Sequence, residues 1–225
     1  MRNPVTKHPT RYIVAAACAL ILSGCASQKS LPTTQFDFGP ATPARAQTQP
    51  QTQTQTPGAT GPVIVTDVTG SSALDSERMF YRLSYADPLQ ARTYANSRWT
   101  ASPLQLLTQR FKTRLAQSGA RVLSETDAAS GIPLLRIDVD DFVQDFGGVS
   151  QSTGVVAVRA SVFQGHVLVD QRSFRQAVAA TSADAAGGAR ALAASTDAVA
   201  ADIVAWLGTL GTLNSRTSTS TSAQR

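Results

Sequence analysis

Residues 77–119 read ERMFYRLSYADPLQARTYANSRWTASPLQLLTQRFKTRLAQSG, and the change of period inside this stretch sets the architecture of the chain. Over residues 78–85 the side chains alternate, with Met79, Tyr81, Leu83 and Tyr85 on one side and Phe80, Arg82 and Ser84 on the other. A period of two argues for a half-buried strand. Asp87-Pro88 stops it, and residues 90–98 follow as its hairpin partner with weaker patterning. From Ser102 the period turns helical. Ser102 suits the N-cap, Pro103 the first helical position, and Gln105 can complete a capping box. Leu104, Leu107, Phe111 and Leu115 then recur at helical spacing, and Gly119 closes the helix. Arg110, Lys112 and Arg114 fall largely on other faces and read as a solvated surface, with docking of an acidic partner or lipid headgroups as the alternative.

Working outward, residues 62–68 (PVIVTDV) are β-branched and bounded by Gly61 and Gly70, a short strand. Residues 133–143 (PLLRIDVDDFV) set Leu135, Ile137 and Val139 against Arg136, Asp138 and Asp140, a strand with one wet face. Residues 154–163 and 167–177 are two further β runs around Gln164-Gly165-His166, a hairpin turn signal. From about Asp184, Leu192, Thr196, Val199, Ile203, Trp206 and Leu210 step at helical spacing among alanines, with Gly187-Gly188 blurring the start. The order β-β-β-α-β-β-β-α implies an α+β domain, a mainly antiparallel sheet with two helices packed on one face.

The flanks are different. Arg2, Lys7, His8 and Arg11 precede an eleven-residue apolar run at 12–22 (YIVAAACALIL), followed by Ser23, Gly24 and Cys25. At about 1.5 Å per residue the run spans about half of a ~30 Å hydrocarbon core, so it reads as a signal-peptide core and not as a transmembrane helix. Leu22-Ser23-Gly24-Cys25 resembles the bacterial lipobox. That resemblance implies cleavage before Cys25 and acylation there, with palmitate among the acyl chains; an ordinary secretory peptide is the plainer alternative. Several acyl chains satisfy the need of stable anchoring for more than one chain. By the same resemblance Ala26, not Asp, after the Cys implies sorting to the outer membrane with the body facing the periplasm. Residues 31–61, rich in Gln, Thr, Pro, Ala and Gly, hold only Leu31, Phe36 and Phe38 as large apolar groups and read as a flexible tether. The tail (LNSRTSTSTSAQR) is Ser/Thr-rich and reads as disordered. The expected organisation is a signal peptide at 1–24, lipidated Cys and tether at 25–61, a folded domain at 62–211 and a tail at 212–225.

The formal charge of +5 invites nucleic acid or an anionic surface as partner. Cleavage would remove Arg2, Lys7 and Arg11 from the twenty basic residues, leaving 17 against 15 acidic, a net of +2. No nucleic-acid partner is expected of so nearly neutral a body. Of the two Cys, Cys18 would be discarded and Cys25 lipidated, which leaves no thiol for zinc, disulfide or nucleophilic chemistry. His166 sits in a turn without a second His or a Gly-x-Ser-x-Gly elbow. Asp138, Asp140, Asp141 and Asp145 are the one acid cluster, without calcium-loop spacing, and alternation puts Asp138 and Asp140 on a wet strand face. Neither Gly147-Gly148 nor Gly187-Gly188 follows a phosphate-loop pattern. The expectation is a protein that is no enzyme and holds no metal or cofactor.

Arg78-x-x-Tyr81-Arg82, the aromatic at Tyr94, Arg98-Trp99, and Pro103 with the helix through Leu106, Leu107 and Leu115 occur in an order that resembles the ABC-type transport auxiliary lipoprotein family, which includes the lipoprotein of the paraquat-inducible intermembrane transport system. The hairpin VVAVRASVFQGHVLVDQRSFRQAV and the closing Ala-rich helix extend the likeness over most of the body; the Gln/Thr tether, the tail and the first strand depart from it. The resemblance implies a non-enzymatic, lipid-anchored auxiliary component of lipid transport between two membranes. Its implied partners are an ABC permease and ATPase and a substrate-binding protein of the mammalian-cell-entry type, with a homo-oligomer left open. Tyr81, Trp99, Pro103 and Leu107 are its structural motif residues, and Tyr81 and Trp99 read as anchors of sheet against helix. The competing reading is a structural or assembly lipoprotein of the outer membrane with no transport role.

Overall fold

The computed structural model describes residues 32–41, 61–127 and 130–210. The strands are β1 (Thr34–Phe36), β2 (Val63–Val65), β3 (Thr69–Gly70), β4 (Arg78–Arg82), β5 (Ala91–Trp99), β6 (Val122–Leu123), β7 (Leu134–Gly148), β8 (Gln151–Gln164) and β9 (Val167–Ala179). The two helices are α1 (Pro103–Gln117) and α2 (Ala185–Thr209), and a short 3-10 turn spans Ser72–Asp75.

All nine strands belong to one sheet with β7 as its spine. One edge of β7 pairs antiparallel with β8, which pairs antiparallel with β9. The other edge is shared by three pieces running parallel to β7: β2 at Ile64↔Leu134, β3 at Thr69↔Asp138 and β4 at Tyr81↔Gln144. β1 is parallel to β5, and β2 to β6. The sheet is therefore mixed, not mainly antiparallel as the element order implied. The three hairpin pairs, β4–β5, β7–β8 and β8–β9, are antiparallel. Between β2 and β6 the chain passes through α1, and a crossover of that length returns a strand in parallel.

Local chemistry accounts for the element ends. The Ser102 hydroxyl accepts from Gln105 N–H at 3.3 Å and Pro103 opens α1, while Gly119 takes φ +93° just past its end. The β4 strand stops at Arg82, short of Tyr85, because Ala86 and Asp87 N–H both turn back onto the Leu83 carbonyl at 2.8 and 2.9 Å. The β8–β9 turn uses Gly165 at φ +62°. In β7 the alternation Leu135, Ile137, Val139 resumes as Phe142, Gln144, Phe146 after a bulge between Val139 and Asp141. One extra residue keeps the apolar side facing the helices along a strand that a uniform period of two would have flipped.

Both helices pack on this same side. A Cβ on Gly70 would lie 3.2 Å from Leu104 of α1 and from Val139, and one on Gly188 of α2 would collide with Gln144. The core joins Trp99, Leu107, Phe111 and Leu115 to Leu135, Ile137, Val156, Val158, Ile203 and Trp206. Helix α2 is long and apolar enough to cross a membrane by length and composition, but Leu192, Val199, Ile203, Trp206 and Leu207 are buried in this core. Gly187-Gly188 lies within its first turn, capped by Asp184, whose carboxylate accepts from Gly187 N–H at 2.7 Å.

The segment expected to be tether from 25 to 61 contributes to the sheet. Thr34, Gln35 and Phe36 pair with Ser97, Arg98 and Trp99, and Phe38 is buried. Two aromatics in a polar run are enough to dock a strand when a groove awaits them. The signal peptide, Cys25, residues 26–31 and 42–60 of the tether, residue 211 and the tail at 212–225 lie outside the described residues.

Candidate functional site

Trp99, at the end of β5, is buried, its ring 5.5 Å from Phe38 and 5.7 Å from Phe142. Pro103 opens α1 beside it and Leu107 is fully buried one turn on. Tyr81 belongs to a second aromatic group, 4.7 Å from Tyr94 and 5.8 Å from Phe146, and is half-buried. These four residues thus fill two parts of the interior and do not converge on a common pocket. Cys25 lies outside the described residues.

Arg110 and Arg114, expected on a solvated helix face, grip Asp197 of α2 instead. Arg110 Nε and Nη2 donate to the carboxylate at 2.6 and 2.9 Å, and Arg114 Nε and Nη2 at 2.7 and 2.5 Å. Only 8% of the Arg110 side chain is exposed, and its Nη1 donates to the Gly39 carbonyl at 3.0 Å. One guanidinium therefore ties together α1, α2 and the N-terminal segment. Gln117 Nε2 adds a bond to the Ala41 carbonyl at 2.7 Å. Burial acts to raise the Asp197 pKa, but the hydrogen bonds and charges of Arg114 and Arg110 outweigh it and hold the carboxyl below its ordinary value. Spacing of four on α1 puts the two arginines on one face; the acid that receives them is far away in sequence and carries no local signal. Between residues 37–41 and α1 remains an open cavity of about 600 Å³, lined by Phe38, Leu106, Gln105, Gln109 and Arg110 among others.

A second interior network is neutral. Tyr94 donates to Gln144 Oε1 at 2.9 Å, and Gln144 Nε2 donates to Ser152 Oγ at 2.8 Å and to the Asp184 carbonyl at 3.1 Å. Burial foremost, with Tyr81 and Asp184 nearby, pushes the Tyr94 phenol up to about 12. The network joins three strands to the start of α2. At the other end of α2, Trp206 Nε1 donates to Asp170 at 2.8 Å, which together with Gln171 N–H lowers the Asp170 pKa.

The acid cluster is dispersed along the side of β7 away from the helices. Asp138 accepts from the Thr69 hydroxyl and Asp145 from the Ser84 hydroxyl, Asp141 lies 3.5 Å from Arg82, and Asp140 lies 4.0 Å from Arg159. Each carboxylate has its own structural partner. His166 occupies the exposed β8–β9 turn. Among the described residues no three His, Cys, Asp or Glu side chains gather closely enough to hold a metal ion. The described residues thus present an open cleft beside a tied-down N-terminal segment.

The family model for the ABC-type transport auxiliary lipoprotein component matches residues 44–204. The chain belongs to this family of lipoproteins. A crystal structure of a Xanthomonas campestris protein is similar at TM-score 0.61 and 21% identity, covering 83% of this chain and 98% of that one. The crystal structure of an uncharacterized protein matches at TM-score 0.61 and 14% identity, covering 79% of this chain and 99% of that one. At these identities the likeness is one of fold. No curated protein sequence matches the chain.

Proposed function

We propose that the chain is the outer-membrane lipoprotein of an intermembrane lipid transport system, anchored through Cys25, facing the periplasm, and acting without covalent chemistry. Its task is to dock the end of a bridge built by a mammalian-cell-entry-type substrate-binding protein, whose ABC permease and ATPase lie in the opposite membrane. The observation that carries this reading is the family match over residues 44–204, which associates the body with ABC transport. The Leu22-Ser23-Gly24-Cys25 sequence supplies the anchor, and the separate structural partners of Asp138, Asp140, Asp141 and Asp145 favour a role without catalysis.

The test is in-cell photocrosslinking from exposed positions of the body, followed by identification of the captured proteins. Capture of a mammalian-cell-entry protein at positions clustered on one surface is expected. Capture of outer-membrane assembly components alone would instead make this an assembly lipoprotein. Fractionation of the Cys25→Ser chain tests the anchor separately, with release from the membrane as the expected result.

A further inference from the structure

Two loops meet at one end of the sheet and both hold apolar side chains out to solvent. The β4–β5 loop, residues 83–90, presents Tyr85 and Leu89, and the β7–β8 turn presents Val149 beside Gly147-Gly148. Leu89 is 93% exposed and Val149 81%. Tyr85 N–H donates to the Phe146 carbonyl at 3.3 Å, so the loops lie side by side. Asp87, the one acid in the β4–β5 loop, accepts from Leu89 N–H at 2.9 Å and so caps its own turn. A single exposed leucine needs no explanation; three apolar tips at one end are a different matter, because of where the chain comes from.

β5 leaves the β4–β5 loop at Ala91 and runs away from the tips, and β1 runs parallel to it. The chain therefore enters β1 from the side of the tips. Thr34 is level with Ser97, six residues down β5 from Ala91, or about 20 Å at ~3.3 Å per residue. Cys25 precedes Thr34 by nine residues, at most about 30 Å of fully extended chain. Even fully extended, that chain carries Cys25 no more than about 10 Å beyond the start of β5, so a bilayer holding the lipid at this end of the sheet lies within reach of the loop tips.

We infer that Tyr85, Leu89 and Val149 rest in the headgroup boundary of the bilayer that holds the lipid anchor, so that the body stands end-on against the membrane with these loops as its foot. The inference rests on the Cys25 anchoring proposed above. Shallow burial of an aliphatic and aromatic edge suits that boundary, where a phenol finds both an apolar bed and polar partners. The opposite end of the sheet also exposes two aliphatic residues, Val167 and Leu168 on the β8–β9 hairpin. That end faces away from the incoming chain and supplies the internal control.

The experiment uses the full acylated chain, purified from membranes, its mass first establishing that Cys25 carries acyl groups. Leu89→Cys, Val149→Cys and Val167→Cys, all at exposed positions, each receive an environment-sensitive fluorophore; the acylated Cys25 thioether does not react. In phosphatidylethanolamine and phosphatidylglycerol vesicles, lipids brominated near the glycerol should quench positions 89 and 149 at least about twofold more than position 167. An acylated chain with no quenching at 89 and 149, or with equal quenching at 167, overturns the inference and leaves the anchor standing. A mass showing unmodified Cys25 overturns the anchor and the inference together.

Discussion

Replacing Asp197 with Ala removes the carboxylate shared by Arg110 and Arg114 and exposes how strongly the two helices depend on it. The Arg110 side chain is 8% exposed and would keep only the Gly39 carbonyl as a partner. Arg114 is more open and retains Gln117 Oε1 at 3.0 Å. Breaking a fully buried pair costs about 3–5 kcal/mol because a charge is left uncompensated. Asp197 keeps about a quarter of its side chain in solvent, so screening and relaxation bring the expected loss to about 2–4 kcal/mol. Urea unfolding followed by tryptophan fluorescence reads this as a midpoint lowered by about 1–2 M, given a slope of ~2 kcal/mol per M. The pH dependence follows from the lowered Asp197 pKa. A carboxyl whose folded pKa is depressed contributes its full stability above the unfolded value of ~3.9 and loses it as pH falls through the folded value. The difference between the parent and Asp197→Asn should hence be constant from neutrality to about pH 4 and shrink below it. Pairing Asp197→Leu with Arg110→Met should recover most of the loss, since a hydrophobic replacement of a buried pair is often neutral. A cost below about 0.5 kcal/mol for Asp197→Ala, in the range of an exposed ion pair, would refute the claim that this contact locks the helices.

Phe38→Ala should cost about 3 kcal/mol and alter the fluorescence of Trp99, whose ring it edges at 5.5 Å; an unchanged melting curve would detach residues 34–41 from the fold. Gly154→Ala should lower stability by about 1–3 kcal/mol in thermal denaturation, because its Cβ would fall 2.4 Å from Leu192 N and 2.5 Å from Ala191 C. In a spectrophotometric titration Tyr94 should ionise near the value of about 12 that its burial sets, and Tyr94→Phe should delete that late step. Because the folded pKa is raised, the contribution of Tyr94 is complete below the unfolded value of ~10 and is lost as pH rises beyond it.

The sequence exposes the local parts of this fold and hides the distant ones. Ser102, Pro103, Gly119 and the Leu104-Leu107-Phe111-Leu115 row specify α1 because cap and period act within a few residues. The β4–β5 and β8–β9 hairpins are equally local. The parallel pairings are not, since β2, β3 and β6 are two or three residues long and exist as strands only against a neighbour distant in sequence. A strand that short has no period to read. Phe36 and Phe38 were visible as apolar exceptions in a Gln/Thr-rich run, but only the groove beside Trp99 makes them part of the sheet. Arg110 and Arg114 look solvated on α1 alone; their receptor, Asp197, lies between Thr196 and Ala198 on the other helix. Among the proposed site residues, the burial of Trp99 and Leu107 follows from residue type and spacing, whereas the alignment of loop tips at one end of the sheet depends on the parallel pairing of β4 with β7, which only the register defines.

The use of β7 as a common spine has a consequence for how the chain acquires its shape. β2, β3 and β4 lie along an edge that does not exist until residues 134–148 are in place, whereas β7, β8 and β9 are consecutive hairpin neighbours and close short loops. Loop closure favours the near contacts first. A chain delivered N-terminus first therefore presents its β-branched segment at 63–65 and the aromatics of 80–81 and 94–99 before their template arrives. For that interval half of the sheet is an adhesive, unpaired ribbon, and its solubility depends on the charged and polar residues interspersed through it and on how fast the spine follows.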